Sequence, residues 1–164
     1  MRADELEAAV RQGRSFEGMT IAAFDLSERD LSKAKLARTK LARLLLEDAN
    51  LSFSDLRAAQ IVECSLVNAN LAGADLRDAI IVQGDLRGAR LAGASLRGAK
   101  LINANLEGAD LSACDLTQTA LIGANLNKAQ LQGATLHETV LTDARLVGAD
   151  LSSAKIARVL LNRA

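Results

Sequence analysis

Residues 86–111 read LRGAR LAGAS LRGAK LINAN LEGAD L, with a leucine opening every block of five. Carried outward in both directions, the same spacing holds Leu or Ile at 29 consecutive positions from Ile21 to Leu161. No straight element buries such a set. An α-helix turns about 100° per residue, so a five-residue step scatters the leucines around the whole cylinder. A strand alternates faces every residue, and an odd period sends successive leucines to opposite sides of a sheet. The period works if the chain bends by about a quarter turn every five residues. Four pentads then close one square coil with every leucine on the axis, which describes a solenoid.

The residues between the leucines fit that geometry. Ten of the eleven glycines fall two residues after an axial position, among them Gly73, Gly88, Gly93, Gly98 and Gly108. That position is a corner, because a type II turn needs φ > 0 at its third residue and glycine supplies it without steric cost. Only Gly84 is out of phase. From Ala23 to Asn68 other residues hold the corner, so non-type-II turns are expected there and mostly type II turns from Gly73 onward. The residue two before each leucine is usually alanine, as at Ala69, Ala89, Ala104 and Ala124. Facing inward, it lets the wall close. Asp or Asn often follows, giving Ala-Asn-Leu at 49–51, 69–71, 104–106 and 124–126 and Ala-Asp-Leu at 74–76, 109–111 and 149–151.

These triplets resemble the A(D/N)LXX motif of pentapeptide-repeat proteins, and the resemblance covers about residues 19–164. It implies an all-β fold, a right-handed quadrilateral parallel β-helix of about seven coils. At about 4.8 Å per coil this is a rod about 34 Å long. The domain division expected is an N-terminal cap over residues 1–18 and the β-helix over 19–164. Within the cap, Asp4 to Val10 reads as a short helix with Asp4 as N-cap and Gly13 as its stop. Leu6, Ala9 and Val10 share a face that would plug the first coil. Val159, Leu160 and Leu161 predict an apolar C-terminal end with unpaired strand edges, covered by a second subunit or by more chain. No apolar run is long enough for a membrane span, residues 1–18 lack a signal-peptide core, and a cytoplasmic location is expected.

Catalytic chemistry finds no foothold in this pattern, and no enzyme activity, cofactor or metal is expected. The single histidine, His137, follows Leu136 and points outward. Cys64 and Cys114 take inward alanine positions, where a small apolar side chain suffices. Their 50-residue separation is two and a half coils, which sets them on opposite faces about 12 Å apart along the axis and excludes a disulfide. Nucleophile–base pairs, metal-ligand spacings and phosphate loops are not found.

Function is therefore sought on the outer faces, sorted by a period of twenty. One face carries Val62, Val82, Ile102 and Ile122 after its axial residues and Ile80, Ala120, Val140 and Leu160 before them. Elsewhere these positions are mostly Asp, Asn, Arg, Ser or Thr. The ridge of Val62, Ile80, Val82, Ile102, Ile122, Val140 and Leu160 is the candidate partner or self-association surface, although β-branched residues also favour strands in their own right. Another face alternates Arg57, Arg77 and Arg97 with Asp55, Asp75 and Asp115, a solvated salt-bridge ladder. Phe53 is outward on a third.

The resemblance also brings the quinolone-resistance pentapeptide proteins, rod-shaped dimers that imitate DNA and engage DNA gyrase. An acidic surface is needed for that, and this chain balances 20 acidic against 20 basic residues. A basic band holds Arg29, Lys33, Lys35, Arg38, Lys40 and Arg43, without neighbouring aromatics for base stacking. The unbroken register leaves no projecting loop. The expectation is a protein-interaction or scaffold module that binds a protein partner, with a homodimer through the apolar face or the C-terminal coil. A DNA-mimicking modulator of gyrase is the alternative, and neutral charge disfavours it.

Overall fold

In the computed structural model, which describes residues 2–164, the chain is a parallel β-solenoid of about seven turns with one short N-terminal helix. Met1, the first residue of the expected cap, lies outside the described residues. The helix α1 spans Ala3–Arg11. Five strands then stack on one face: β1 Thr20–Ala22, β2 Lys40–Ala42, β3 Gln60–Val62, β4 Ile80–Val82 and β5 Lys100–Ile102. Two more, β6 Thr135–His137 and β7 Lys155–Ala157, pair on the preceding face of their own coils. Every pairing is parallel with a register shift of twenty residues, as in Ile61 opposite Ile81 and Ile81 opposite Leu101.

The axial residues form one continuous core. From Ile21 to Leu141 all are buried, and near the C-terminal end Leu146 and Leu151 are only half-buried and Ile156 and Leu161 exposed. The inward alanines beside them are equally closed off, Ala49 through Ala134 being almost wholly buried. Threonines at this position bond a carbonyl, whereas the buried Ser54 hydroxyl has no partner among the described residues. The Thr119 and Thr139 hydroxyls donate to the Leu96 and Leu116 carbonyl oxygens at 2.7 and 2.8 Å. Gly84, out of phase in the sequence, sits here, and a Cβ on it would meet Ile81 Cγ2 at 2.6 Å.

The turns correct the expectation drawn from glycine. Every corner residue has φ between 52° and 72°, whether glycine or not, including Glu28 at 60° and Arg43 at 53°. What varies is closure, and the open corners change face along the rod. Most corners close a bond from the fourth residue to the first, as from the Ala49 N–H to the Leu46 carbonyl oxygen at 3.1 Å. With φ > 0 at the third residue these are type II turns even without glycine. After Ile21, Leu41, Ile61, Ile81, Leu136 and Ile156 the turn is open and the chain extends into a strand. All four axial isoleucines fall in these strands, in keeping with the stiffness of a branched Cβ. None of the non-glycine corners is Val, Ile or Thr, which tolerate left-handed backbone worst.

Asp and Asn before the axial residue close the corner from outside. The Asn50 Oδ1 accepts the Ser52 N–H at 3.2 Å and also the Asn70 side-chain amide at 3.1 Å, and the Asn50 amide reaches Asp30. This ladder ties coil to coil as well as side chain to turn.

At the N-terminus the helix packs Leu6, Ala9 and Val10 onto the first coils, with Ile21, Leu26, Leu31 and Leu36 beneath Leu6 and Val10. Its N-cap is Arg2 rather than Asp4. The Arg2 N–H donates to the Glu5 carboxylate at 3.0 Å, while Asp4 lies in the first turn and pairs with Arg29 at 2.7 Å. Gly13, at φ 72°, stops the helix with its N–H on the Val10 carbonyl oxygen. The solenoid begins before the leucine run, because Phe16 is fully buried and Ser15 already bridges Lys35.

Candidate interaction surface

The face of β1 to β5 gathers all seven ridge residues. Strand register stacks Val62 on Val82 and Val82 on Ile102. In the column before the axial residues, bridges run from Ile80 to Lys100, Ala120, Val140 and Leu160. Ile122 continues the first column, its carbonyl oxygen accepting the Asn103 N–H at 2.9 Å. Val82, Ile122 and Leu160 are 36, 37 and 53 % exposed, and the other four are half-buried against their stacked neighbours. The coil spacing of about 4.8 Å stacks the column from Val62 to Ile122 without a break, while Lys100 interrupts the other column between Ile80 and Ala120.

Beyond the strip the outward hydrophobics are scattered. Phe53 is 66 % exposed on another face at a left-handed backbone position of φ 57°. Its ring lies over the next corner, where a Cβ on Gly73 would stand 2.6 Å from Phe53 Cε1 and force the ring aside. The C-terminal end forms a second apolar feature. Leu136, Leu141, Leu146, Leu151, Ile156 and Leu161 line a concavity of about 250 Å³.

Charge on the remaining faces is largely self-cancelling. Arg57 forks onto Asp55 at 2.8 and 2.7 Å and approaches Asp75, and Arg77 forks onto Asp75 at 2.8 and 2.6 Å. These guanidinium hydrogen bonds hold both carboxyls below the usual carboxylate range. Arg97 has no such partner among the described residues, and Asp115 instead accepts the Thr117 N–H. In the basic band Arg29 is tied to Asp4 and Glu7, a pairing that depends on where α1 docks, and Arg38 to Glu17 of the preceding coil.

The groups that could carry chemistry are dispersed. His137 is outward, 3.3 Å from Glu138. Cys64 and Cys114 are buried and free, and burial pushes the Cys114 thiol up to about 12. Among the described residues no group of three or more His, Cys, Asp or Glu could hold a metal ion, and no helix is long and apolar enough to cross a membrane.

The sequence matches the family of pentapeptide repeats in eight copies, over residues 30–66, 54–91, 85–118 and 119–156. No curated protein matches it in sequence. Among solved structures it is similar to HetL, a pentapeptide repeat protein involved in heterocyst differentiation regulation from the cyanobacterium Nostoc sp. strain PCC 7120. The identity is 25 %, 96 % of each chain is covered, and the TM-score is 0.52. It also shares its fold with trypsin-treated QnrB1 R167E, a plasmid-mediated fluoroquinolone resistance protein. That likeness has 22 % identity over 86 % of this chain and 74 % of the other, with a TM-score of 0.56.

Proposed function

This chain belongs to the pentapeptide-repeat family, and we propose that it works as a non-enzymatic protein-interaction module presenting the Val62–Leu160 ridge. The observation that carries this reading is where the ridge outlasts the strands. Strand preference would account for β-branched residues at Val62, Ile80, Val82 and Ile102, which lie in β3, β4 and β5. It does not account for Ile122, Val140 and Leu160, which continue the same strip in coils whose strands have moved to another face. The strands at that other face, β6 and β7, carry His137 and Ala157 at the matching outward position. The persistence of apolar residues on this face beyond its strands, although Lys40, Gln60 and Lys100 share it, supports a contact surface.

The test is capture from a lysate with wild-type protein and with Ile102→Glu. The variant is expected to lose the specific partner while remaining folded. An unchanged catch would remove the ridge from consideration.

Modulation of gyrase by DNA mimicry is the alternative, supported by fold likeness to QnrB1. The face bearing Asp25, Glu28, Glu47, Asp48, Asp85 and Glu107 is the most acidic, yet Arg87, Lys128 and Arg145 interrupt it and Arg87 pairs with Asp85 at 2.7 Å. Purified protein in large molar excess is expected to leave gyrase supercoiling and drug-induced cleavage unchanged. Dose-dependent inhibition or protection would favour the alternative.

A further inference from the structure

The ridge runs from the coil of Ile61 to the coil of Leu161, so its midpoint falls between the coils of Leu101 and Leu121. Along the adjoining corner, Glu63 and Arg163 stand at its two ends, each 50 residues, or two and a half coils, from the same midpoint. Glu63 is exposed and has no ionic partner among the described residues. Arg163 is 80 % exposed and touches Asp143 of its own chain at 2.9 Å. Apolar side chains centred between opposite charges at equal distances make a self-complementary pattern.

We propose that the ridge receives a second copy of the same chain, packed face to face and antiparallel about a two-fold axis between the coils of Leu101 and Leu121. This rests on the ridge being a contact surface. A two-fold axis lying in the interface along the strand direction keeps each outward column opposite its own counterpart and reverses the order of coils. At this position Ile102 meets Ile122 of the partner subunit, Ile80 meets Val140 of the partner subunit, and Val82 meets Thr142 of the partner subunit. Glu63 meets Arg163 of the partner subunit, and symmetry repeats every contact. The Asp143–Arg163 pair then extends into a three-membered ionic chain at each end.

Two shifts toward the N-terminal end and the parallel arrangement fit worse. Moving the axis onto the coil of Leu101 sets Lys100 against its own counterpart and Glu63 against Asp143 of the partner subunit, which is repulsive twice over. Moving it between Ile81 and Leu101 joins Arg43 to Asp143 but drives both Lys100 onto Ile80 and Lys40 onto Val140, whereas the proposed register sets one ammonium, Lys100, against the small Ala120 of the partner subunit. A parallel pair sets Lys100 against Ile102 and keeps Glu63 and Arg163 five coils apart.

The experiment is sedimentation equilibrium over a wide concentration range on the wild type, Glu63→Arg, Arg163→Glu, and an equimolar mixture of the two variants. The wild type is expected to dimerise, and each variant to weaken the dimer by at least about tenfold in Kd. The mixture is expected to recover wild-type association, because each copy then offers its partner the opposite charge at both ends. Melting of both variants should match the wild type, since both sites are exposed. A wild type that stays monomeric overturns the proposal, as does a dimer weakened by Ile102→Glu but by neither charge reversal. A monomer whose lysate capture still depends on Ile102 leaves the contact-surface reading standing while this proposal falls; one whose capture ignores Ile102 removes both.

Discussion

Leu101→Glu is expected to abolish the cooperative melting transition, while Ile102→Glu, one residue further along, shifts it by only a few degrees. Leu101 lies on the axis with no measurable exposure, between Ile81 in one coil and Leu121 in the next. Replacing it removes about 1.5–3 kcal/mol of apolar burial. It also places a carboxylate where no cation or donor reaches it, at a further cost of several kcal/mol. A domain of this size holds about 5–15 kcal/mol in total. The solenoid worsens the effect, because each coil is supported only by its neighbours and a break in the middle leaves two short stacks. Ile102 faces out, so Glu there costs about 1 kcal/mol of strand preference and stacking. Circular dichroism melts of both variants decide the point. A Leu101→Glu protein that melted like the wild type would mean that the axial residues do not carry the fold.

That contrast between adjacent residues was visible in the sequence because the period of five is incompatible with every simpler element. The same arithmetic, taken by twenties, placed all seven ridge residues on one face, since the register never slips between Ser15 and the last bridge at Leu160. What period alone left unread was backbone closure. Glycine marks where left-handed φ is easiest, but the fold imposes it on Ala23, Arg43 and Phe53 as well. The better signal was the branched axial residue. Ile21, Ile61, Ile81 and Ile156 each mark an extended corner, a distinction lost once Leu and Ile are counted alike. Contacts of the cap were illegible for another reason. Arg29 occupies an inward small-residue position and reads as part of a basic band, yet it turns to Asp4 and Glu7 because α1 docks beside the first coil. Nothing in the local sequence at Arg29 contains that docking.

Phe16 shows the same limit and supplies the second large effect. It is neither Leu nor Ile, yet it sits five residues before Ile21, is fully buried, and donates its N–H to the Lys35 carbonyl oxygen at 2.9 Å. Arg14 lies over its ring at 5.6 Å from the centroid. Phe16→Ala is expected to cost about 3–5 kcal/mol, through lost burial and the cavity left behind. In a rod whose coils touch only their neighbours, that loss should stay at one end. Hydrogen exchange should show α1 and the first coil losing protection while amides around Leu101 keep theirs. Phe16→Leu restores an axial leucine and should retain most of the protection. A uniform loss along the whole chain would show the rod unfolding as one unit. Unchanged protection in the first coil would show that the cap is held by its Arg29 ion pairs and not by the aromatic beneath it.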